Sequence, residues 1–123
     1  MNTQEVLERF LLIANLSINE SAKWTPICSD AVAEIESKLK TDIDKIQNGR
    51  RLTAAAAALS FYKYIIYNAA GSGVESFSAG DISIKENTSQ KIELASSIWN
   101  ESKILISDLL RDDNFYFEQV AFI

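Results

Sequence analysis

The sequence contains no histidine. Imidazole exchanges protons near neutral pH and is the commonest metal ligand. Its absence removes the usual general base, most zinc sites and every histidine-containing triad. A single cysteine, Cys28, has no partner for an intramolecular disulfide and points to a reducing compartment. One proline and four glycines are few for 123 residues, and none of them falls within 50–70. Basic residues are also short: twelve Lys and Arg stand against seventeen Asp and Glu, a formal net charge of −5. That balance disfavours indiscriminate grip on nucleic acid or anionic membrane, which runs on phosphate neutralisation by Lys and Arg. The opening stretch MNTQEVLERFLLIANL has Glu5 and Glu8 ahead of a short apolar run and no small-residue cleavage site, so it does not read as a signal peptide. Without an export signal, the N-x-S sequences at Asn15, Asn19, Asn87 and Asn100 read as chance rather than as glycosylation sites.

What is present describes a globular protein. Apolar residues make up 47% and charged residues 24%, and the length suits one domain over 1–123 with a single core. The organising stretch is 50–70, RRLTAAAAALSFYKYIIYNAA, apolar almost all round with Lys63 as its one charge after a basic start. A helix hydrophobic on every side must be buried on every side, so a central helix is expected with the others packed around it. Leu52, Ala55, Leu59, Tyr62, Ile66 and Ala69 give one contact stripe, and Phe61, Tyr64 and Ile65 a second. Twenty-one residues would span roughly 30 Å, which also fits a bilayer, but a central Lys is costly in lipid and argues against a span.

The expected fold class is mainly α, about four helices around that central one. Asn2 or Thr3 caps a first helix whose stripe is Val6, Phe10, Ile13 and Leu16, widened by Leu7 and Leu11. SINES reads as a turn. Thr25-Pro26 reads as the start of a second helix, with Trp24 stapling its entry and Ile27, Ala31, Ile35 and Leu39 on its buried face. The stretch TDIDKIQNG is a connector with one helical turn. After the central helix, GSGVESFSAG is a loop, and DISIK at 81–85 alternates as a short strand. Asn87, Thr88 or Ser89 caps a last long helix, with Ile92, Ala95, Ile98 or Trp99, Leu105 or Ile106, and Leu109 on its buried face; Asp112, Asp113 and Asn114 stop it. The loop and strand thus occupy 71–86, and 114–123 is a strand-like tail rich in aromatics.

Few residues suggest chemistry. Asp42 and Asp44 share a face only in a strand, and the adjacent Lys40 and Lys45 make a solvated surface the simpler reading. Cys28 near a helix N-terminus would have a lowered pKa, but with no histidine to pair with it reads as a small core residue. Lys38, Lys40, Lys45, Arg50 and Arg51 form a candidate DNA-facing basic patch, weakened by Asp42 and Asp44 and lacking aromatic residues for stacking on bases. The G-S-G of the loop follows a helix, not a strand, and has no P-loop lysine. No catalytic, cofactor or metal site is expected. The tail carries Phe115, Phe117, Val120 and Phe122, which either pair with the DISIK strand and close the core or dock on another subunit.

Two stretches together carry a resemblance: AAAAALSFYKYIIY at 54–67 and ESFSAGDISIKEN at 75–87. An Ala-rich helix with aromatics, a Ser/Gly loop, a short G-D-I-S-I strand and a long helix, in that order, resemble the small head–tail connector proteins of tailed bacteriophages and prophages. The resemblance implies a non-enzymatic, mainly helical adaptor. Such a subunit would form a homo-oligomeric ring beneath the portal and extend the DNA channel toward the tail. DNA would pass without sequence-specific binding. Its partners would be portal and other head–tail proteins, with no membrane, and its place the bacterial cytoplasm during assembly and then the virion. The interface residues it implies are Val74, Phe77, Asp81, Ile82 and Ile84 in the loop and strand, and Phe115, Phe117 and Phe122 in the tail. The strand-like tail departs from the helical docking tail of that family. A small helical interaction or regulatory module unrelated to virions is the other reading.

Overall fold

A computed structural model describes the backbone of residues 2–72 and 82–111 and the side chains of 2–69 and 89–111. Within it the chain forms α1 (Thr3–Ala14), a 3-10 turn (Ile18–Glu20), α2 (Ser21–Ser37), α3 (Gly49–Ser72), α4 (Ile82–Leu105) and a second 3-10 turn (Ser107–Leu109). The mainly helical fold read from the sequence is what forms.

Local chemistry sets the ends of α1. The Asn2 side chain accepts from the backbone N–H of Gln4 at 2.7 Å and of Glu5 at 3.4 Å, satisfying two donors that have no intrahelical partner. Asn15 closes the helix in the left-handed region at φ 57°, its N–H directed at the carbonyls of Leu11 and Leu12. Asparagine tolerates that conformation better than other side chains. Val6, Leu7, Phe10 and Leu11 are buried, while Ile13, expected on the same stripe, is 40% exposed.

α2 begins four residues before Thr25, so Pro26 lies inside the helix rather than at its first position. The 3-10 turn capped by the Ser17 hydroxyl runs directly into it, and the Thr25 hydroxyl donates to the Ser21 carbonyl at 2.7 Å. Proline here removes one hydrogen bond, the one its N–H would have given to Ala22. Burial of Trp24 offsets that loss. Trp24 is 4% exposed and meets the rings of Phe10 and Tyr64 edge-on at 6.5 and 4.7 Å, which draws 21–24 into the helix.

α3 is the hub. It packs against α1, α2 and α4, whereas neither α1 nor α2 packs extensively against α4. Its middle is buried on all sides: Leu52, Thr53, Ala55 to Ala58, Leu59 and Ser60 are each at most 4% exposed. Four consecutive small side chains let three helices approach one axis. The buried hydroxyl of Ser60 is satisfied by donating to the Ala56 carbonyl at 2.7 Å.

The strand expected at 81–85 does not form. Ile82 to Lys85 are the first residues of α4, which therefore starts well before the caps proposed at Asn87, Thr88 or Ser89. A two-stranded pairing is marginal without a cover, and extending an existing helix adds a hydrogen bond for each residue fixed. Ala95 and Trp99 take the buried face of α4, and Ile106 and Leu109 continue it through the 3-10 turn, while Leu105 is 63% exposed. The helix ends before 112–114, the stop proposed from sequence. One antiparallel bridge, Leu39 with Leu110, then ties the end of α2 to this segment: Lys40 N–H donates to the Leu109 carbonyl and Arg111 N–H to the Lys38 carbonyl, both at 2.9 Å. No helix among the described residues is long and apolar enough to cross a membrane.

Candidate functional site

Because α1 and α4 lie on α3 with little direct contact, a groove opens between them. Its floor is Phe61, Tyr64, Ile65, Asn68 and Ala69 of α3; Ile13 and Ala14 form one wall and Lys91 and Leu94 the other. The cavity holds about 340 Å³, the scale of a site that accepts a few side chains or a small ligand. Leu94 is 57% exposed and Ile13 40%, so its rim presents apolar surface to solvent. Lys91 is the one charged residue among those lining it.

The floor is fixed from beneath by an aromatic cluster. Tyr64 stands edge-on to Phe10 at 5.4 Å and to Trp24 at 4.7 Å, and lies near-parallel to Phe61 at 6.4 Å. Edge-to-face packing of this kind is directional and holds rings in place. One residue away, Lys63 Nζ meets Glu34 Oε1 at 3.1 Å, and about a fifth of each side chain is exposed. Tyr64 in the groove floor is thus packed from the α1 and α2 side, with Phe61 stacked on it.

The second stripe read on α3, Phe61, Tyr64 and Ile65, supplies this floor. Its walls escaped the sequence. Ile13 belongs by spacing to the α1 core stripe, and Leu94 sits between the residues assigned to the buried face of α4. The missing information was that α1 and α4 stand apart, which no single-helix pattern encodes.

The basic patch is broken up. The Arg51 guanidinium donates to the Leu105 carbonyl and to Asp108 Oδ1, both at 3.0 Å, and to Asn48 Oδ1 at 2.7 Å. It caps the end of α4. Hydrogen bonding from Arg51 holds the Asp108 carboxyl below the usual aspartate range, with smaller help from its charge and from Lys40. Lys40, Lys45 and Arg50 are exposed and Lys38 half-buried, and the charge of Lys40 is felt at Asp108. Asp44 turns its carboxylate onto its own chain, accepting from Ile46 and Gln47 N–H at 3.0 Å each. It is a turn former. Among the described residues no three Cys, Asp or Glu side chains gather as a metal site would require.

Cys28 is fully buried, and burial pushes its thiol up despite a hydrogen bond with Ser60 that pulls it down. With α2 starting at Ser21, it lies in the helix body, beyond the first turn where the dipole would act. Of the interface residues implied by resemblance, Ile82 and Ile84 fall on the first turn of α4, without a described side chain. Val74, Phe77, Asp81, Phe115, Phe117 and Phe122 lie outside the described residues. No family model, curated protein or solved structure matches the chain.

Proposed function

We propose that this chain is a non-enzymatic adaptor that works by binding other proteins. In its more specific form, it is a head–tail connector subunit of a tailed phage or prophage, assembling as a ring between portal and tail. The observation that carries the adaptor reading is the α1–α3–α4 groove: an aromatic and apolar floor, apolar walls open to solvent and one lysine. Apolar surface rimmed by polar groups is what protein docking uses. The connector reading rests on the Ala-rich α3 followed by a Ser/Gly segment and a long α4. In this reading the acidic chain lets DNA slide past, the subunit acts in the bacterial cytoplasm and virion, and the exposed Lys40, Lys45 and Arg50 face the channel.

One observation favours the second reading, a helical interaction module unrelated to virions. G-D-I-S-I was part of the resemblance as a strand, and its Ile82 to Ile84 are helical. The two are separated by mixing the purified chain with portal and following mass by native mass spectrometry. A ring or portal-bound species supports the connector. A chain that stays monomeric at high concentration and ignores portal counts against it, and neighbouring genes without capsid, portal or tail functions would favour the module.

A further inference from the structure

We infer that the flank of α4 from Lys91 to Glu101 is a contact between two copies of this chain, packed antiparallel about a two-fold axis. This goes beyond the adaptor reading and holds for a chain of any function. Lys91, Leu94, Ile98 and Glu101 follow one another at steps of three, four and three residues. They therefore form one line along the helix, with the period of about 3.5 residues that suits a seam between two helices. The line runs beside the face that α4 buries with Ala95 and Trp99. Leu94 is exposed and Ile98 half-buried, so the middle of the line presents apolar surface.

Its two ends carry opposite charges. Lys91 and Glu101 are both exposed, and neither takes part in an ion pair among the described residues. Nor does α4 itself supply a counter-charge, since no residue three or four positions from either is charged. The pattern is complementary to itself. Lys91 and Glu101 lie at equal distances, about 7.5 Å along the axis, from the point midway between Leu94 and Ile98. A second α4 laid antiparallel across that point sets Lys91 against Glu101 of the other copy and Leu94 against its Ile98, and symmetry repeats both contacts. A parallel pair would instead set lysine on lysine and glutamate on glutamate. This charge complementarity is what selects a second copy as the occupant. Because Lys91 and Leu94 also line the groove, the paired chain covers one wall of the adaptor's docking surface. An isologous contact of this kind closes at two subunits and does not propagate into a ring.

The test is sedimentation equilibrium of the full chain from about 10 to about 500 µM, a range that suits the modest affinity of a small interface. The expected result is a monomer–dimer equilibrium that Lys91→Glu or Glu101→Lys weakens at least about tenfold, because each places like charges across the axis at two points. The charge-swapped Lys91→Glu/Glu101→Lys chain should dimerise as the original does, which separates pairing from any folding defect of the single variants. A strict monomer overturns the proposal. So does a dimer indifferent to the single variants, or a swapped chain that stays monomeric. A ring or other assembly above two in the free chain also overturns it, while supporting the connector. A chain that binds portal without dimerising keeps the adaptor reading and loses this contact.

Discussion

Lys63 Nζ lies 3.1 Å from Glu34 Oε1, an ion pair set into the otherwise apolar seam between α3 and α2. It explains why a lysine is tolerated in the central helix. The second Glu34 oxygen is buried with no hydrogen-bond partner among the described residues, so the carboxylate depends on Lys63.

Replacing Lys63 by Met should therefore cost more than a lost surface pair. We expect Lys63→Met to lower unfolding free energy by about 2 kcal/mol, below the ~3–5 kcal/mol of a fully buried pair because about a fifth of each side chain remains wet. Lys63→Met/Glu34→Leu should recover most of it, since an apolar pair leaves no orphaned charge. Urea titration of the three proteins checks this, and a double variant weaker than the single one would refute it.

The alanines of α3 make the opposite kind of demand. Ala57 is fully buried where three helices meet, and added volume has nowhere to go. Ala57→Leu should cost about 1–3 kcal/mol by overpacking. Ala33→Leu, on an exposed position of α2, should stay within about 0.5 kcal/mol, because the two residues have similar helix propensity. Thermal unfolding followed by circular dichroism separates them.

The Arg51–Asp108 clasp should leave a mark in acid. The folded Asp108 pKa is depressed, mainly by the Arg51 hydrogen bond, so its contribution is present above the unfolded aspartate value and is lost as pH falls through the folded one. Wild type should lose a little more stability than Asp108→Asn between about pH 4 and pH 2.5. The two should run parallel above pH 5. Urea midpoints across that range test it, and the gap should be small because the pair is exposed at 42% and 65%.

The central helix was legible because burial on all sides writes itself into composition: nothing but small or apolar side chains fits at 52–62. The cap at Asn2 was legible because its chemistry is local. Where longer-range terms decide, the sequence misled. Pro26 looked like a helix start, and only the burial of Trp24 beneath Tyr64 explains four further helical residues before Thr25. DISIK alternates like a strand, but alternation over five residues cannot outweigh a helix able to grow by one turn. The groove was half visible, as the Phe61, Tyr64 and Ile65 stripe. Its existence depends on α1 and α4 standing apart, a property of the packing rather than of any one segment. Arg51 looked like part of a basic surface, and its commitment to Asp108 and the Leu105 carbonyl spans more than fifty residues of sequence.

Cys28 offers the last check, on the interior itself. Its thiol is fully buried, held against Ser60 and raised in pKa chiefly by burial, so a thiol reagent reaches it only when α2 and α3 separate. At pH 8 an aromatic disulfide reagent should modify the native chain at least about 100-fold more slowly than the urea-unfolded chain, as an opening cost of about 3 kcal/mol implies. Ser60→Ala removes the hydroxyl beside the thiol without exposing the sulfur. Native reactivity should therefore stay low in that variant unless stability also falls. Trp24→Ala, by contrast, removes the ring that anchors the first turns of α2 and should raise the native rate as it lowers the unfolding free energy by about 3–5 kcal/mol. A Cys28 that reacts in the native state as fast as in urea would mean that the α2–α3 seam does not close as described.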